Sequence, residues 1–189
     1  MTSVLLVHGA WSAAWAWRDF RALLTSGGAM VFAPTLTGVG ERRRLLTRQI
    51  GLEDHIQDIC EVLFMEDLHD VVLVGHSYGG MVISGVSDRM PDRVRQLVFV
   101  DAFMPEDGEC VFDLMPPAQV AMIRDEVDRH GAGWLIPPPP LPADTPAEAV
   151  KFAQQRRGPQ PVKTFTSPVE LTGRCRSLPM TYIHCTRIN

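Results

Sequence analysis

The chain has 189 residues, 46% of them hydrophobic, enough for one substantial core and too apolar for a disordered chain. Its 18 basic and 22 acidic residues leave a formal net charge of −4, so nothing in the charge balance draws it to nucleic acid or an anionic membrane, and the expected partner is a small molecule. The apolar run after Met1 is too short to span a bilayer and has no basic lead-in or cleavage signature, so a cytoplasmic protein is expected.

Five apolar runs read as strands in chain order: residues 3–8, 29–33, 70–75, 96–101 and 180–186. Most are apolar throughout rather than alternating, which suits a parallel sheet covered on both faces. Helical patterns fall between them. Trp17, Phe20 and Leu24 define one apolar face, Ile56, Ile59, Cys60 and Leu63 another, and the helix after Ser77 should stop before Pro91. Strand and helix alternating in this way predict an open α/β sheet with its functional loops at the carboxyl ends of the strands. From 104 to 175 strand signals vanish and prolines accumulate, including four in a row at 137–140, with helical patches at 117–129 and 145–155. This stretch is expected to be a cap or lid inserted into a single domain spanning 1–189. The four cysteines lack CxxC spacing and read as buried thiols of a reducing compartment. His184 and Cys185, adjacent on a strand, would point to opposite faces and could not share a metal ion.

The strand at 70–75 ends in G-x-S-x-G, formed by Gly75, Ser77 and Gly79, and opens a helix rich in small residues. A nucleophile at the apex of a strand-to-helix turn needs a strained backbone, and flanking residues without a β-carbon let strand and helix approach closely. The helix N-terminus beneath it favours negative charge developing on a carbonyl oxygen under attack. The strand at 3–8 ends in His-Gly-Ala, a tight turn that could present the Ala10 N–H toward the same region; the Tyr78 N–H, next to Ser77, would be the second donor of an oxyanion hole. Trp11 follows as a pocket-lining residue, with Trp134 as a candidate from the cap.

The segments VHGAW, LTGVGER (36–42), GHSYGGMV and VDAFMPEDG, in this order, resemble the α/β-hydrolase superfamily, in the branch of plant methylesterases, hydroxynitrile lyases and related bacterial esterases. The likeness is strongest over 1–108. It implies an α/β-hydrolase fold and a Ser-His-Asp acyl-transfer enzyme without a cofactor, acting on a small, largely apolar carboxylic ester. The lyases of that branch typically carry Thr at the position of Gly9 and Glu at that of His76, so these two residues favour an esterase. Alternatives are a non-catalytic small-ligand-binding protein of the same fold and a hydroxynitrile-lyase-type enzyme.

Histidine is the usual base for such a serine, and the resemblance places it after the last strand, in a part of the fold that follows the final strand of this chain. Among the histidines present, His8 and His76 read as structural or pocket-lining, His55 and His69 as remote from the carboxyl ends, His184 as a core residue within its strand, and His130 as a cap residue. Two explanations are open: a longer functional protein, or a natural fragment that keeps the fold without the triad. In either case this chain should be nearly inactive, with residual catalysis of about 10³ to 10⁴ over water. Asp101, at the end of the fourth strand, is either the acid that orients a histidine or a cap for the following turn. Losing the last sheet edge would leave an apolar strand exposed, which a homodimer would cover.

Overall fold

In the computed structural model, which describes residues 2–186, the elements run β1 (Ser3–Val7), α1 (Arg18–Ser26), β2 (Met30–Phe32), α2 (Leu52–Met65), β3 (Val71–His76), α3 (Gly79–Arg89), β4 (Val94–Val100), α4 (Pro117–His130), β5 (Leu135–Ile136), α5 (Ala147–Gln154), β6 (Gln160–Pro161), α6 (Lys163–Thr166) and β7 (Met180–Ile183). The five expected strands form one sheet in the order β2-β1-β3-β4-β7, parallel at every pairing. This is the mainly parallel, helix-covered sheet of an α/β-hydrolase fold.

Successive side chains of a strand point to opposite faces, and the burial follows that rule. Leu5, Val7 and Leu73 join the main core with Ile56, Ile59 and Leu63 of α2 and Met81, Val82 and Val86 of α3. Val4, Leu6 and Val74 form a smaller cluster on the other face with Trp17 and Leu24. The chain therefore leaves β1 on one face and returns to β3 on the other. The strand order reverses between β1 and β3, and the carboxyl ends of two such strands diverge into a crevice.

The pattern in α2 is buried as expected, and α3 ends at Arg89, ahead of Pro91. The first helix differs. It begins at Arg18, has no buried residue, and leaves Phe20 43% exposed, because only Trp17 and Leu24 reach the sheet. The region 104–175 contains α4 and α5 as expected, together with a two-stranded antiparallel ladder of β5 and β6 that its proline content concealed. Val111, Phe112, Val127, Ile136, Phe165 and Val169 of this region belong to the main core. Cys60 and Cys175 are buried, but Cys110 is half-buried and Cys185 exposed, against the expectation of buried thiols; all four are unpaired. Among the described residues, no helix is long and apolar enough to cross a membrane.

One buried carboxylate ties the chain ahead of β7 to α3. Asp88, 3% exposed, accepts hydrogen bonds from the Thr172 N–H (2.7 Å), the Thr172 hydroxyl (2.8 Å) and the Cys175 N–H (3.2 Å). Burial pushes its pKa up, but these donors more than offset that and hold it below the ordinary carboxylate value. A carboxylate with a lowered folded-state pKa contributes stability above its unfolded value and loses it as the pH falls toward the folded one. Asp88→Ala, which strands three donors, should cost about 3 kcal/mol near pH 6. The gap between the two proteins in urea unfolding should narrow below about pH 4.

Candidate active site

The ladder registers pair Val7 with Gly75, Gly75 with Phe99, and Phe99 with Tyr182. Carried two residues past these pairs, the same registers set Gly9, Ser77, Asp101 and His184 in one row across the carboxyl edge. Ser77 follows β3, Asp101 follows β4 and His184 follows β7, so in the order of the strands Asp101 comes between the other two.

Ser77 has φ +52°, a left-handed conformation that costs a non-glycine residue about 1–2 kcal/mol. Hydrogen bonds clamp it there. Its N–H donates to the Val100 carbonyl (3.3 Å), and its own carbonyl accepts from Gly80 N–H (3.0 Å) and Phe103 N–H (3.1 Å). The glycines around it are sterically required. A β-carbon on Gly75 would stand 2.7 Å from the Gly79 carbonyl oxygen, and one on Gly79 would stand 2.6 Å from that of Val7. A β-carbon on Gly9 would meet both the His76 ring (3.0 Å) and Ser77 Cβ (3.1 Å), so the turn after β1 lies directly against the serine. The N–H groups of Ala10 and Tyr78 donate to no protein acceptor among the described residues.

Ser77, Gly9, Ala10 and Trp11 share a cleft of about 810 Å³ whose outer wall comes from Pro139–Pro142 and α5. Trp11 lines it as expected. Trp134 does not: it lies under the Arg48 guanidinium, 5.6 Å from the ring centre. Of the histidines, His76 is a cleft residue, its ring edge-on to Trp17 at 6.2 Å.

His8 and His55 are structural. The Leu36 N–H donates to His8 Nε2 (3.1 Å), which fixes the proton on Nδ1, where it is given to the Gly9 carbonyl (2.8 Å). His55 was expected to lie far from the carboxyl ends, yet it bridges Tyr78 and the 36–42 loop. The Thr37 carbonyl (2.9 Å) can only accept, so Nε2 carries the proton and Nδ1 accepts from the Tyr78 hydroxyl (2.9 Å). Asp58 secures the same loop through Thr37 N–H (2.6 Å), the Thr37 hydroxyl (2.8 Å) and Arg42 (3.0 Å). No sequence signal marked Asp58 or His55, since both sit in a helical pattern whose other members are simply core or surface.

His184 is the clearest departure from expectation. It lies just past the end of β7, with a side chain 67% exposed, and its Nδ1 is 3.2 Å from Asp101 Oδ1. Asp101, itself at φ +44°, also accepts from the Cys185 N–H (3.4 Å). Asp101 is thus paired with an imidazole that follows β7, whereas Ser77 follows β3 on the other side of β4. Among the described residues no group of three or more His, Cys, Asp or Glu side chains is placed to hold a metal ion.

The sequence profile of the alpha/beta hydrolase family matches residues 4–187. The chain belongs to that family. It is 39% identical over 182 residues to a carbendazim hydrolyzing esterase of Nocardioides sp. (strain SG-4G), a match spanning 92% of this chain and 75% of the relative. Methylesterase 8 of Arabidopsis thaliana is 35% identical over 103 residues, which is 54% of this chain and 38% of the plant protein. Among solved structures, an extracellular alpha/beta-hydrolase from a Paenibacillus species, described as sharing structural and functional homology with tobacco salicylic acid binding protein 2, superposes with a TM-score of 0.89. It is 27% identical, covering 98% of this chain and 78% of that one. The chain is an esterase-type member of the family.

Burial lowers the His8 pKa to about 4, with the Gly9 carbonyl acting in the opposite, weaker sense. The unfolded chain binds a proton near pH 6.5 that the folded one refuses until about pH 4. The His8 contribution should therefore cost up to about 3 kcal/mol of stability as the pH drops through that window, and this one contribution should level off below it. Ring ¹⁵N shifts should show His8 neutral, protonated on Nδ1, at about pH 5.5.

Proposed function

We propose that this chain is built as a serine hydrolase for a small, largely apolar carboxylic ester. In this reading Ser77 Oγ attacks the ester carbonyl carbon and yields its proton to a base. The carbonyl oxygen becomes an oxyanion held by the Ala10 and Tyr78 N–H groups, and the alcohol leaves with a proton. Water then cleaves the acyl-enzyme. Asp101 is the carboxylate that orients the base, Trp11 bounds the substrate pocket, and no cofactor takes part. The region 104–175 is the cap over the cleft. Location in the cytoplasm rests on the four unpaired cysteines.

The observation that carries this reading is the left-handed Ser77, clamped at the crevice between β1 and β3 with two unengaged amides beside it. A serine that merely capped α3 would need neither the strain nor the close approach of Gly9. The ester as substrate class is supported by the esterase relatives.

A base acting on Ser77 must stand between it and its carboxylate. The strand order instead puts Asp101 between Ser77 and His184, and His76 packs against Trp17. Among the described residues no histidine is hydrogen-bonded to the Ser77 side chain, and an imidazole supplied from solution is expected to act as the base. A fluorophosphonate probe is expected to label Ser77 slowly, faster in proportion to added imidazole, with the adduct mapped to the peptide containing residue 77 and lost in Ser77→Ala. Equal labelling of Ser77→Ala, or an adduct on another serine, would leave the ligand-binding reading in its place. Aldehyde release from a cyanohydrin would favour the lyase.

A further inference from the structure

A second cavity, of about 580 Å³, lies on the other side of Trp11 from the Ser77 cleft. The two share Trp11, Pro139 and Pro140 as a common wall, so the indole and the proline run form a partition. The cavities differ in chemistry. The Ser77 cleft carries Arg18, Asp19, Glu148 and Arg157 in its lining. The second is walled by Met115, Met122, Ile123, Ile136 and the four prolines, with Gln119 and Glu126 as its only polar side chains.

Trp11 is held in place more firmly than a casual wall residue. Its Nε1–H donates to the Ile136 carbonyl (3.0 Å) and its N–H to Gln160 Oε1 (3.4 Å). Its ring leans on Phe165 at 5.7 Å, and its backbone takes φ +59°. Gln160, 1% exposed, is in turn fixed by donating to the Thr164 hydroxyl (2.9 Å). The acceptor of the indole N–H and that of the backbone N–H thus both belong to the β5–β6 ladder. A left-handed tryptophan held through its backbone N–H, its indole N–H and its contact with Phe165 has a defined orientation, and it lines both cavities.

We infer that the cavity beyond Trp11 is a second subsite of the same site, taking the apolar chain of the ester, with Trp11 the partition around which the chain bends. This rests on the proposed ester substrate. The polar ester group remains in the cleft with Ser77, where charged side chains and free amides surround it. The chain passes Trp11 and the prolines into a space that offers mainly methionine, isoleucine and proline contacts, with Gln119 and Glu126 the only polar side chains in its wall. Met122, 69% exposed on α4, forms the outer wall, so the subsite can be narrowed from the surface without touching the core. Methionine walls adapt to chains of differing shape.

The test uses binding without turnover. In the Ser77→Ala protein, calorimetric titration with methyl acetate through methyl octanoate should show affinity rising about threefold to fourfold per methylene over part of the series. Adding Met122→Trp, or independently Gln119→Trp, should lower the octanoate-to-acetate affinity ratio at least tenfold, with circular dichroism reporting the fold. A flat series, or an unchanged ratio in both folded variants, overturns the subsite. Because no chemistry is involved, failure of Ser77 to label removes the serine reading and leaves this result standing. A labelled serine with a flat series does the reverse.

Discussion

The site depends on a contact that leaves no room for a side chain. The Val7 carbonyl oxygen stands 2.6 Å from where a β-carbon on residue 79 would be, so β1 and α3 meet backbone to backbone. The same approach recurs between Gly75 and Gly79, and Gly80 packs equally tightly on the Phe103 carbonyl. Three glycines thus let the chain leave β3, reverse and begin a buried helix within a few residues. Ser77, at the apex, has to take a left-handed φ. The strain is offset by hydrogen bonds from both neighbouring segments rather than relieved, which keeps the side chain clear of the sheet.

Register carries that local geometry across the molecule. Because every pairing is parallel, Gly9, Ser77, Asp101 and His184 all follow the carboxyl ends of adjacent strands, and the Ser77 and Asp101 N–H groups still bond to Val100 and Ile183 of the neighbouring strands. Asp101, following β4, meets His184, following β7, one strand outward from the serine's strand. All four residues of β7 are exposed, so His184 takes its orientation from a hydrogen bond and not from packing.

Strand positions, the helices α2 and α3, and the serine turn were legible in the sequence because each rests on local rules: apolar runs, helical spacing, and glycines where a β-carbon cannot fit. The residues that sequence reasoning misplaced are those whose roles come from partners distant in the chain. His55 works through Tyr78 and Thr37, His184 through Asp101, and Trp134 is turned away from the cleft by Arg48. The Trp17–Phe20–Leu24 face shows the opposite limit, a correct spacing with too little sheet beneath it to cover the whole face. The β5–β6 ladder was hidden because it lies among prolines and its two residues per strand leave no periodicity to read.

The two buried histidines bear on the electrostatics at the serine. An imidazole that accepts from one group and donates to another joins two loops without bringing a charge, provided burial keeps it unprotonated. His8 does this between the turn after β1 and Leu36, and His55 between Tyr78 and Thr37. In both cases burial is the leading influence and drives the pKa down. A cation at either position would spread its field over the same few residues as the N-terminus of α3. With both neutral, neither adds a positive charge to the loops that flank Ser77, and the charged side chains of the cleft, Arg18, Asp19, Glu148 and Arg157, belong to its outer lining. The neutral histidines therefore do for the flanking loops what the glycines do for the turn: they permit close approach of separate segments without a buried charge.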